Sequence, residues 1–284
     1  MTEQGQSMRG RVCLVTGATS GIGAAAAEEL ATLGATVIVA GRNAERAAAT
    51  VERIRQRTGG AAEYLLADLS SQQEVRRLAE AVRARHERLH VLVNNAGAVF
   101  TERRLSPDGL ELTFALNHLA YFLLTGLLLD TLQASAPARI VNVSSDAHQA
   151  ATIDFDDLQA ERGYSGFRVY GRSKLANLLF TYELARRLEG TGVTVNALHP
   201  GLVASRFATN LGGLARRLHP LARPFMLSPA QGARTIVYLA SSPEVQGVTG
   251  RYFVSERDTT SSKASYDRAD AERLWQVSAT LVGL

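Results

Sequence analysis

Apolar segments of strand length alternate with segments of helical periodicity along most of this chain. The strand candidates are near-continuous apolar runs, which are typical of strands buried on both faces. They are Val12–Val15, Thr36–Ala40, Glu63–Ala67, His90–Val93, Arg139–Val143, Val193–Leu198 and Arg251–Val254. Helical periodicity lies between them, near 22–33, 43–56, 71–86, 107–133, 168–189 and 229–240. This pattern predicts a three-layer α/β fold, with a doubly wound sheet of about seven parallel strands and helices on both faces.

No linker rich in proline, serine or glycine divides the 284 residues, so we expect one domain over residues 1–284. Residues 1–8 are expected to be disordered. The segment from about 204 to 227 has irregular patterning. Because ligands of such sheets bind beyond the strand ends, we expect this segment to be a mobile lid over the substrate. Apolar residues in and around it favour a lipophilic or bulky substrate: Leu202, Phe207, Leu211, Leu214, Leu218, Phe225 and Met226.

Composition excludes several classes of function. Hydrophobic residues make up 46% of the chain and charged residues 20%, as in ordinary globular proteins. The net charge of +4 comes from arginines scattered over many helices, so we expect no nucleic-acid binding. The single cysteine, Cys13, excludes an internal disulfide and a cysteine-based zinc site, and we expect it in the core. No metal-ligand spacing surrounds His118 or His148, so we expect no metal site.

The start of the chain contains no apolar segment of signal-peptide length. The most apolar stretch, Leu119 to Leu132, contains Thr125 and Asp130 and is too short to span a bilayer. We therefore expect a cytoplasmic protein without a membrane anchor.

A glycine-rich loop, Thr16 to Gly23, follows the first predicted strand and opens a helix. Glycines permit a tight turn and a close approach to a pyrophosphate, and the helix N-terminus offers unpaired N–H groups to the anion. Such a loop alone is a weak signal, because turns also use glycine. Its position at the first crossover of a Rossmann-type sheet predicts dinucleotide binding. The expected cofactor contacts are Gly17, Thr19, Ser20, Gly21, Ile22 and Gly23.

The second predicted strand ends at Gly41, followed by Arg42 and Asn43. Enzymes that select NAD usually place a carboxylate near this point, whereas a guanidinium can pair with a 2′-phosphate. We therefore expect NADP(H) to be preferred over NAD(H), with Arg42 and Asn43 beside the adenosine ribose. The alternative is that Arg42 is a solvated residue at the start of the next helix.

Tyr170 and Lys174 are four residues apart in a predicted helix, so their side chains share one helical face. The pKa of a phenol is ordinarily about 10. A neighbouring ammonium favours the phenolate and lowers that pKa, which makes a tyrosine useful for proton transfer. Any helix can carry this spacing by chance, so the rest of the chain decides its meaning.

Further motifs accompany this pair in one order: Thr16–Gly23, Asp68-Leu69, Asn94-Asn95-Ala96-Gly97, Asn117, Ser144-Ser145, Tyr170 with Lys174, and His199-Pro200-Gly201. Together they resemble the short-chain dehydrogenase/reductase family over nearly the whole chain. The sequence around the active site is most similar to the branch of retinol dehydrogenases and WW-domain-oxidoreductase-like proteins. The membrane-anchoring N-terminal helix of many retinol dehydrogenases is absent from this sequence, so retinol is not carried over as the substrate.

The resemblance implies an NADP(H)-dependent alcohol dehydrogenase or carbonyl reductase that acts on a small-molecule alcohol or carbonyl. Tyr170 would be the general acid in reduction and the base in oxidation. Lys174 would hydrogen-bond the nicotinamide ribose and lower the pKa of Tyr170. Ser145 would orient the substrate oxygen, and Asn117 would hold a water that relays protons from Lys174.

The resemblance also implies further cofactor contacts. Asp68 would bind the adenine with Leu69 beside it, although it could instead cap the following helix. Asn117, likewise, could be an ordinary polar residue inside a helix. The floor of the cofactor cleft and the nicotinamide contacts would come from Asn94, Ala96, Gly97, Pro200, Gly201 and Val203.

The chain departs from many members of the family between Ser145 and Tyr170, where 24 residues intervene. We expect this insertion to overhang the cleft, with Asp154, Asp156 and Asp157 in a solvated turn. The threonine that often follows the Pro-Gly motif is replaced by Ser205 or Arg206, which leaves the carboxamide contact open. The predicted helices 107–133 and 168–189 match those by which relatives pair, so a homodimer or homotetramer is expected.

Two other functions remain open from the sequence. A non-catalytic NADP-binding sensor or scaffold protein would share the dinucleotide loop, but it has no need of Ser145, Tyr170 and Lys174 together. A Rossmann-fold methyltransferase would share the loop as well, and it leaves Tyr170 and Lys174 unexplained.

Overall fold

A computed structural model describes residues 7–203 and 226–284 of the chain. Within these ranges eight strands form one sheet: β1 (Val12–Thr16), β2 (Thr36–Gly41), β3 (Ala62–Leu66), β4 (Val91–Asn94), β5 (Ala138–Val143), β6 (Val193–His199), β7 (Arg251–Val254) and β8 (Arg257–Asp258). Their order across the sheet is β3-β2-β1-β4-β5-β6-β7-β8. The strand order reverses between β1 and β4, as in doubly wound folds.

The first seven strands pair in parallel, which confirms the predicted fold class. The edge strand β8 was not predicted, and it pairs antiparallel with β7. Only two residues long, it follows a tight turn in which Ser255 and Glu256 have φ values of 50° and 66°. Such hairpin turns are usually marked by asparagine or glycine, and neither residue is present here.

The helices of the described part are α1 (Gly21–Thr32), α2 (Ala44–Thr58), α3 (Gln72–Arg85), α4 (Leu112–Ala134), α5 (Gly166–Arg187), α6 (Pro229–Ser241) and α7 (Arg268–Val282). The helix α4 is π-helical over Ala115–Leu119. Short 3₁₀ turns cover Asp146–His148, Pro243–Val245 and Lys263–Tyr266.

Two apolar cores lie on opposite faces of the sheet. Successive strand residues point to alternate faces, so Cys13 and Val15 of β1 join one core while Leu14 joins the other. The core that contains Cys13 is closed by apolar residues of α1, α2 and α6. The core that contains Leu14 is closed by α3, α4, α5 and α7. Both faces of every central strand are therefore dry, which explains the near-continuous apolar runs in the sequence.

Local side chains start several of the helices. Ser228 accepts the N–H of Gln231, whose side chain accepts the N–H of Ser228, and Pro229 occupies the first helical position. Ser71 accepts the N–H of Glu74 in the same way at the start of α3. These caps satisfy backbone donors that would otherwise be unpaired.

The C-terminal helix α7 was not predicted, and it packs across α4 and α5. The ring of Trp275 lies 4.9 Å from that of Phe122 and 5.9 Å from that of Phe180, centroid to centroid. The guanidinium of Arg187 lies 4.1 Å from the centre of the Trp275 ring. Part of the helical surface through which pairing was expected is thus covered by the chain itself. A homodimer or homotetramer stays a prediction.

By length and composition, α4 is apolar enough to cross a membrane, because it has 23 residues and contains an 18-residue window with a mean hydropathy of 1.7. It is longer than the stretch Leu119 to Leu132 on which the sequence argument relied. However, 72% of the apolar window is buried inside the protein, where it forms the core beneath α3 and α7. We therefore interpret α4 as a core helix, and the cytoplasmic location stays a prediction.

The insertion between Ser145 and Tyr170 is tied to the start of α4 through Glu111, which is fully buried. The Glu111 carboxylate accepts the backbone N–H groups of Thr113 and Phe114 at 2.9 and 2.7 Å. It also accepts the Tyr164 hydroxyl of the insertion at 3.3 Å. The backbone N–H of Glu111 donates to the side-chain oxygen of Gln159, which is another insertion residue, at 2.7 Å.

One expectation for the insertion is wrong. Asp157 does not stand in a solvated turn, because it is buried and its carboxylate accepts the N–H groups of Glu161 and Arg162. Those bonds lower the pKa of Asp157. Asp156 is exposed, as expected.

The N-terminal expectation also fails in part. Met8 is buried and its N–H donates to the carbonyl oxygen of Leu33, so order begins before residue 9. The expected lid falls almost entirely outside the described residues, which include only 226 and 227 of the range 204–227, and Ser205 and Arg206 fall outside with it.

The Glu111 cluster yields a stability prediction. Glu111→Gln is expected to lower the free energy of unfolding by about 2 kcal/mol, because a carboxamide would turn an N–H group towards buried backbone donors. Urea denaturation measures the change. Glu102→Gln, whose parent side chain is 79% exposed, is the matched control and should change stability by less than about 0.5 kcal/mol. Equal stabilities of the two variants would contradict the prediction.

Candidate active site

The candidate site lies where the carboxyl ends of β1 and β4 stand side by side. These neighbours pair in parallel, and the chain departs from them in opposite directions across the sheet. A crevice forms at such a point in open α/β sheets. The predicted dinucleotide loop follows β1, and Asn94-Asn95-Ala96-Gly97 begins on the last residue of β4.

Thr16 and Asn95 join the two strand ends. The Thr16 hydroxyl donates to the carbonyl oxygen of Val93 at 3.1 Å and accepts the N–H groups of Asn95 and Ala96 at 2.8 and 3.1 Å. The side-chain amide of Asn95 donates to the carbonyl oxygen of Thr16 at 2.7 Å. The glycine-rich loop is thereby fixed against the end of β4.

Two glycines are needed for this close approach. A Cβ on Gly23 would stand 2.4 Å from the amide nitrogen of Asn95, and one on Gly17 would stand 2.8 Å from the Cα of Ala96. Gly17 also has a φ of 65°, in the region that favours glycine. The loop could not close on Asn95 with larger residues at these positions.

The start of α1 is open. The side chain of Ser20, which occupies the N-cap position, makes no capping hydrogen bond, and the first turn contains no acidic residue. By contrast, α2, α3, α6 and α7 each have a side-chain cap. The first N–H groups of α1 and its positive dipole end are therefore available to an anion. This arrangement fits the pyrophosphate of a dinucleotide, together with Thr19, Gly21 and Ile22 of the same loop.

Arg42 and Asn43 follow the end of β2 and both are exposed. The side-chain oxygen of Asn43 accepts the N–H of Arg46 at 2.9 Å and caps α2. This oxygen therefore already has a hydrogen-bond partner within the protein. Gly41 lies against Thr19, because a Cβ there would stand 2.5 Å from its methyl carbon. The end of β2 thus adjoins the glycine-rich loop and carries a cation, with no carboxylate at either position.

Asp68 and Leu69 follow the end of β3. Asp68 is half-buried, and one carboxylate oxygen accepts the N–H and the hydroxyl of Ser70 at 3.0 and 2.8 Å. The helix α3 is capped by Ser71 instead, so the alternative that Asp68 caps this helix is wrong. Leu69 is buried in the core below.

The predicted cleft floor divides into two parts. Gly97 is exposed, and a Cβ on it would lie 3.5 Å from the Lys174 Nζ and 3.2 Å from the Asn117 Oδ1. The Asn94 side chain, however, is fully buried and donates to Thr125 and to Asn142 at 3.0 and 2.9 Å. Asn94 therefore belongs to a polar ladder in the core, and its side chain does not line the cleft.

The segment after β6 reaches the same edge of the sheet. Gly201 has a φ of 83°, and Val203 forms a bridge with Leu227. A Cβ on Gly232 of α6 would meet the side chains of Val203 and Ile22 at 2.5 and 3.3 Å. Val203 therefore lies close to Ile22 at the start of α1.

Tyr170 and Ser145 meet at the end of β5. Tyr170 is 9% exposed, and burial raises the pKa of its phenol to about 12, although the hydrogen bond with Ser145 partly opposes this shift. The preceding serine, Ser144, is buried, and its hydroxyl donates to the carbonyl oxygen of Lys174 at 2.8 Å. A buried phenol of this kind keeps its proton at neutral pH.

Lys174 is 3% exposed, and its Nζ donates to the carbonyl oxygen of Val143 at 2.9 Å. The Nζ also lies 5.6 and 5.8 Å from the ring centres of Tyr170 and Tyr121. Burial lowers the pKa of Lys174 to about 7. We expected the Lys174 ammonium to lower the pKa of Tyr170. The pKa of Tyr170 is raised instead, because burial has the largest effect on the pKa of each residue.

Asn117 lies in the π-helical part of α4 and is fully buried. Its amide exchanges two hydrogen bonds of 2.9 Å with the backbone of Ala98 and donates to the Ser173 hydroxyl at 3.0 Å. The backbone carbonyl oxygen of Asn117 accepts a hydrogen bond from the side-chain amide of Asn177 at 2.9 Å. Asn117 thus connects the loop after β4 with the helix that carries Tyr170, and its amide nitrogen has no hydrogen left for a water.

The sequence reasoning missed two residues of this site. Asn95 belongs to a motif that was recognised, but its clamping role depends on the pairing of β1 with β4. Tyr121 stands one helical turn after Asn117, which is a spacing that could have identified it. It is 1% exposed, its hydroxyl has no hydrogen-bond partner among the described residues, and burial raises its pKa well above the ordinary value.

Comparisons with known proteins agree with this geometry. A family model described as short chain dehydrogenase matches residues 11–213. Retinol dehydrogenase 14 of Mus musculus is 44% identical, with 98% of this chain and 87% of that protein covered. Polyprenol dehydrogenase of Homo sapiens is 40% identical, with 96% and 86% covered.

Solved structures show the same architecture. An uncharacterized protein from Mycobacterium paratuberculosis superposes with a TM-score of 0.80 at 34% identity, over 98% of this chain and 95% of that one. The active-site complex of Pseudomonas aeruginosa RhlG with NADP has a TM-score of 0.72 at 30% identity, over 89% and 97%. The chain belongs to the short-chain dehydrogenase/reductase family, in its retinol dehydrogenase branch, and is a hydride-transferring oxidoreductase of the kind that uses a nicotinamide cofactor.

Proposed function

We propose that this protein is an NADP(H)-dependent alcohol dehydrogenase or carbonyl reductase that acts on a lipophilic or bulky substrate. The observation that carries the proposal is that Ser145 bonds to Tyr170 and Lys174 lies beside the Tyr170 ring, at the same sheet edge at which α1 starts without a cap. A protein that only bound the cofactor would have no use for a buried proton donor at this place. The names of the relatives support the substrate class, since retinol and polyprenol are lipophilic alcohols.

The chain's own residues would hold the cofactor from both sides of the crevice. The glycine-rich loop and the start of α1 would bind the pyrophosphate, and Arg42 and Asn43 would face the adenosine ribose. Asp68 and Leu69 would lie at the adenine. Ala96, Gly97, Pro200, Gly201 and Val203 would border the nicotinamide, while Asn94 would act through its backbone. The bound nicotinamide would supply or accept the hydride, and the protein would bind and orient the reactants and transfer the proton.

Ser145 and Tyr170 would act on the substrate oxygen. During reduction the carbonyl oxygen gains negative charge, and both hydroxyls can donate hydrogen bonds to it. Tyr170 then transfers its proton to that oxygen as the general acid. In the reverse direction the same phenol has to accept the alcohol proton as a phenolate. Because burial holds the pKa of Tyr170 at about 12, the resting site is prepared for donation.

Lys174 would contact both the protein backbone and the cofactor. One hydrogen of the ammonium is used on Val143, which leaves donors for the hydroxyls of the nicotinamide ribose. Its position beside Gly97 places it at the floor of the crevice. Asn117 holds the Ala98 backbone and Ser173 around this amine, so it would position Lys174. Both hydrogens of its side-chain amide are used, so a water that relays protons would reach Asn117 only through an oxygen.

Tyr170→Phe tests the proposed acid. We expect kcat for carbonyl reduction to fall about a thousandfold, because proton donation is lost, while the Kd for NADPH changes less than about threefold. Steady-state kinetics with a panel of ketones and aldehydes and fluorescence titration of NADPH measure the two quantities. Tyr238→Phe removes the same atom from an exposed hydroxyl on α6 and serves as the control. Full turnover by the Tyr170→Phe variant would show that another group donates the proton.

The same kinetic panel separates catalysis from the sensor alternative. If the wild-type protein binds NADPH tightly and none of the carbonyl compounds in the panel causes NADPH oxidation, the proposed reaction is wrong and the sensor function is favoured.

Arg42→Ala tests the cofactor preference. Loss of a charge-assisted contact to the 2′-phosphate is expected to weaken NADPH binding by about tenfold to a hundredfold. NADH lacks that phosphate and provides the internal control, so its Kd should change by less than about twofold. Titration of both cofactors measures the ratio of the two dissociation constants. An unchanged ratio would mean that Arg42 is only a solvated residue at the start of α2.

Lys174→Met tests the burial of the amine through pH dependence. The folded pKa of Lys174 is about 7, below the ordinary 10.5, so the unfolded chain holds a proton that the folded chain releases. The stability contribution therefore rises with pH and is lost as pH falls towards 7. Between about pH 7 and about pH 9 the wild type should gain about 2 kcal/mol relative to the variant in urea denaturation. Parallel pH profiles would show that Lys174 stays charged in the folded protein.

A further inference from the structure

His148 is fully buried beside the candidate site, and the proposed chemistry does not use it. It lies in the 3₁₀ turn that follows Ser145. Its Nδ1 is 2.7 Å from the carbonyl oxygen of Ser145, and its Nε2 accepts the backbone N–H of Ser262 at 3.1 Å. One imidazole thus joins the residue that would orient the substrate to the C-terminal part of the chain.

These two partners determine which ring nitrogen carries the proton. A backbone N–H can only donate, so Nε2 must present its lone pair to Ser262. A carbonyl oxygen can only accept, so Nδ1 must carry the hydrogen that points to Ser145. The neutral Nδ1–H tautomer satisfies both contacts. An imidazolium would turn an N–H group towards the N–H of Ser262, so protonation would break that contact.

The groups around His148 allow its neutral form. The Tyr252 ring of β7 stands edge-on to the imidazole at 5.1 Å between centroids. Asp146, on the same turn, accepts the Tyr252 hydroxyl at 2.9 Å and lies 3.3 Å from the Nε2 of His199 on β6. Burial lowers the pKa of His148 below the ordinary 6.5, although Asp146 and the bond to Ser145 act in the opposite sense.

Ser262 is itself held in place. Its carbonyl oxygen accepts the Ser265 hydroxyl at 2.6 Å, and Ser265 shares a 2.6 Å hydrogen bond with Ser261. Ser261 in turn bonds to the Tyr182 hydroxyl at 2.6 Å. Tyr182 lies on α5, the helix that carries Tyr170. The segment that supports His148 is therefore fixed to the same helix as the proposed acid.

We propose that His148 is a positioning residue for Ser145, which it holds through the Nδ1–H tautomer while the C-terminal segment around Ser262 holds the ring. This proposal rests on the proposed carbonyl chemistry only for its kinetic consequence. The Ser145 carbonyl oxygen already accepts the backbone N–H of His148 at 3.1 Å, and the ring adds a second hydrogen bond that restrains this carbonyl, so the Ser145 hydroxyl stays directed at the phenol of Tyr170. The C-terminal segment, which lies beyond the matched family region 11–213, then becomes a part of the active site.

Two substitutions separate the contacts. In His148→Asn the side-chain amide can still donate to the Ser145 carbonyl oxygen, whereas in His148→Gln the longer side chain can reach Ser262 and cannot keep that donor in place. We expect kcat for carbonyl reduction to fall at least about tenfold in His148→Gln and about threefold or less in His148→Asn. The KM for NADPH should stay unchanged in both. His90→Asn, which alters a buried histidine bonded to Val12, is the control with unchanged kcat.

The pH profile provides a second kinetic readout. Because burial lowers the pKa of His148 below the ordinary 6.5, the wild-type kcat should fall on the acid side of that value as His148 becomes protonated, and this fall should be absent from His148→Asn. Equal kcat values in the two variants, or an identical acid limb in wild type and His148→Asn, would overturn the positioning role.

A direct measurement needs no turnover. Long-range ¹H–¹⁵N NMR of the histidine rings, with His148 assigned by comparison with His148→Asn, should show a protonated Nδ1 and an unprotonated Nε2 at about pH 7. A protonated Nε2 would overturn the proposal whatever the activity. If the wild type reduces no carbonyl compound, the proposed function fails by itself, and the tautomer still decides whether His148 holds Ser145.

Discussion

The hydrogen bonds of Thr16 and Asn95 are the constraint on which the rest of the site depends. They join the ends of β1 and β4 at the point where the strand order reverses. The glycine-rich loop can then enter α1 without a side-chain cap, because its geometry is set from the neighbouring strand. An open helix start is unfavourable unless water or a ligand satisfies its N–H groups. The clamp therefore holds open an anion site that a helix with an ordinary cap would close.

The helix α5 fixes the positions of Tyr170 and Lys174 relative to the strand ends. Most of its residues are buried, so its rotation and height against β5 are fixed by packing on several sides. Ser144 bonds to its backbone at Lys174, and Asn117 bonds to its Ser173. Tyr170 and Lys174 are consequently placed by contacts from β5 and from α4. The precision of Tyr170 and Lys174 thus comes from a rigid helix, whereas the glycine-rich loop and the segments after β4 and β5 carry the other candidate site residues.

The sequence predicted those features that depend on local pattern. The parallel strands and the helices near 71–86 and 229–240 follow from hydrophobic periodicity, and capping by Ser71 and Ser228 explains where those two helices begin. It failed where the partner is distant in the chain. The burial of Asn94 in a ladder with Asn142, and the helix α7 over Trp275, depend on contacts that no local window contains. The two-residue strand β8 lacked any turn signal because its turn uses Ser255 and Glu256.

The pKa values of Tyr170 and Lys174 also depend on contacts that the local sequence does not contain. Spacing along a helix predicts attraction between an ammonium and a phenolate, and in water the attraction of such a pair is weak. Burial acts on each group separately and disfavours both charged forms, so the pKa of Lys174 falls to about 7 while that of Tyr170 rises to about 12. Near neutral pH the pair is then a protonated phenol beside an amine that is only partly charged. A phenol that keeps its proton is matched to a substrate oxygen that becomes more basic during reaction, which is the situation in carbonyl reduction. The dry core around α5 would therefore favour the acid role that we propose for Tyr170 over the role of a base.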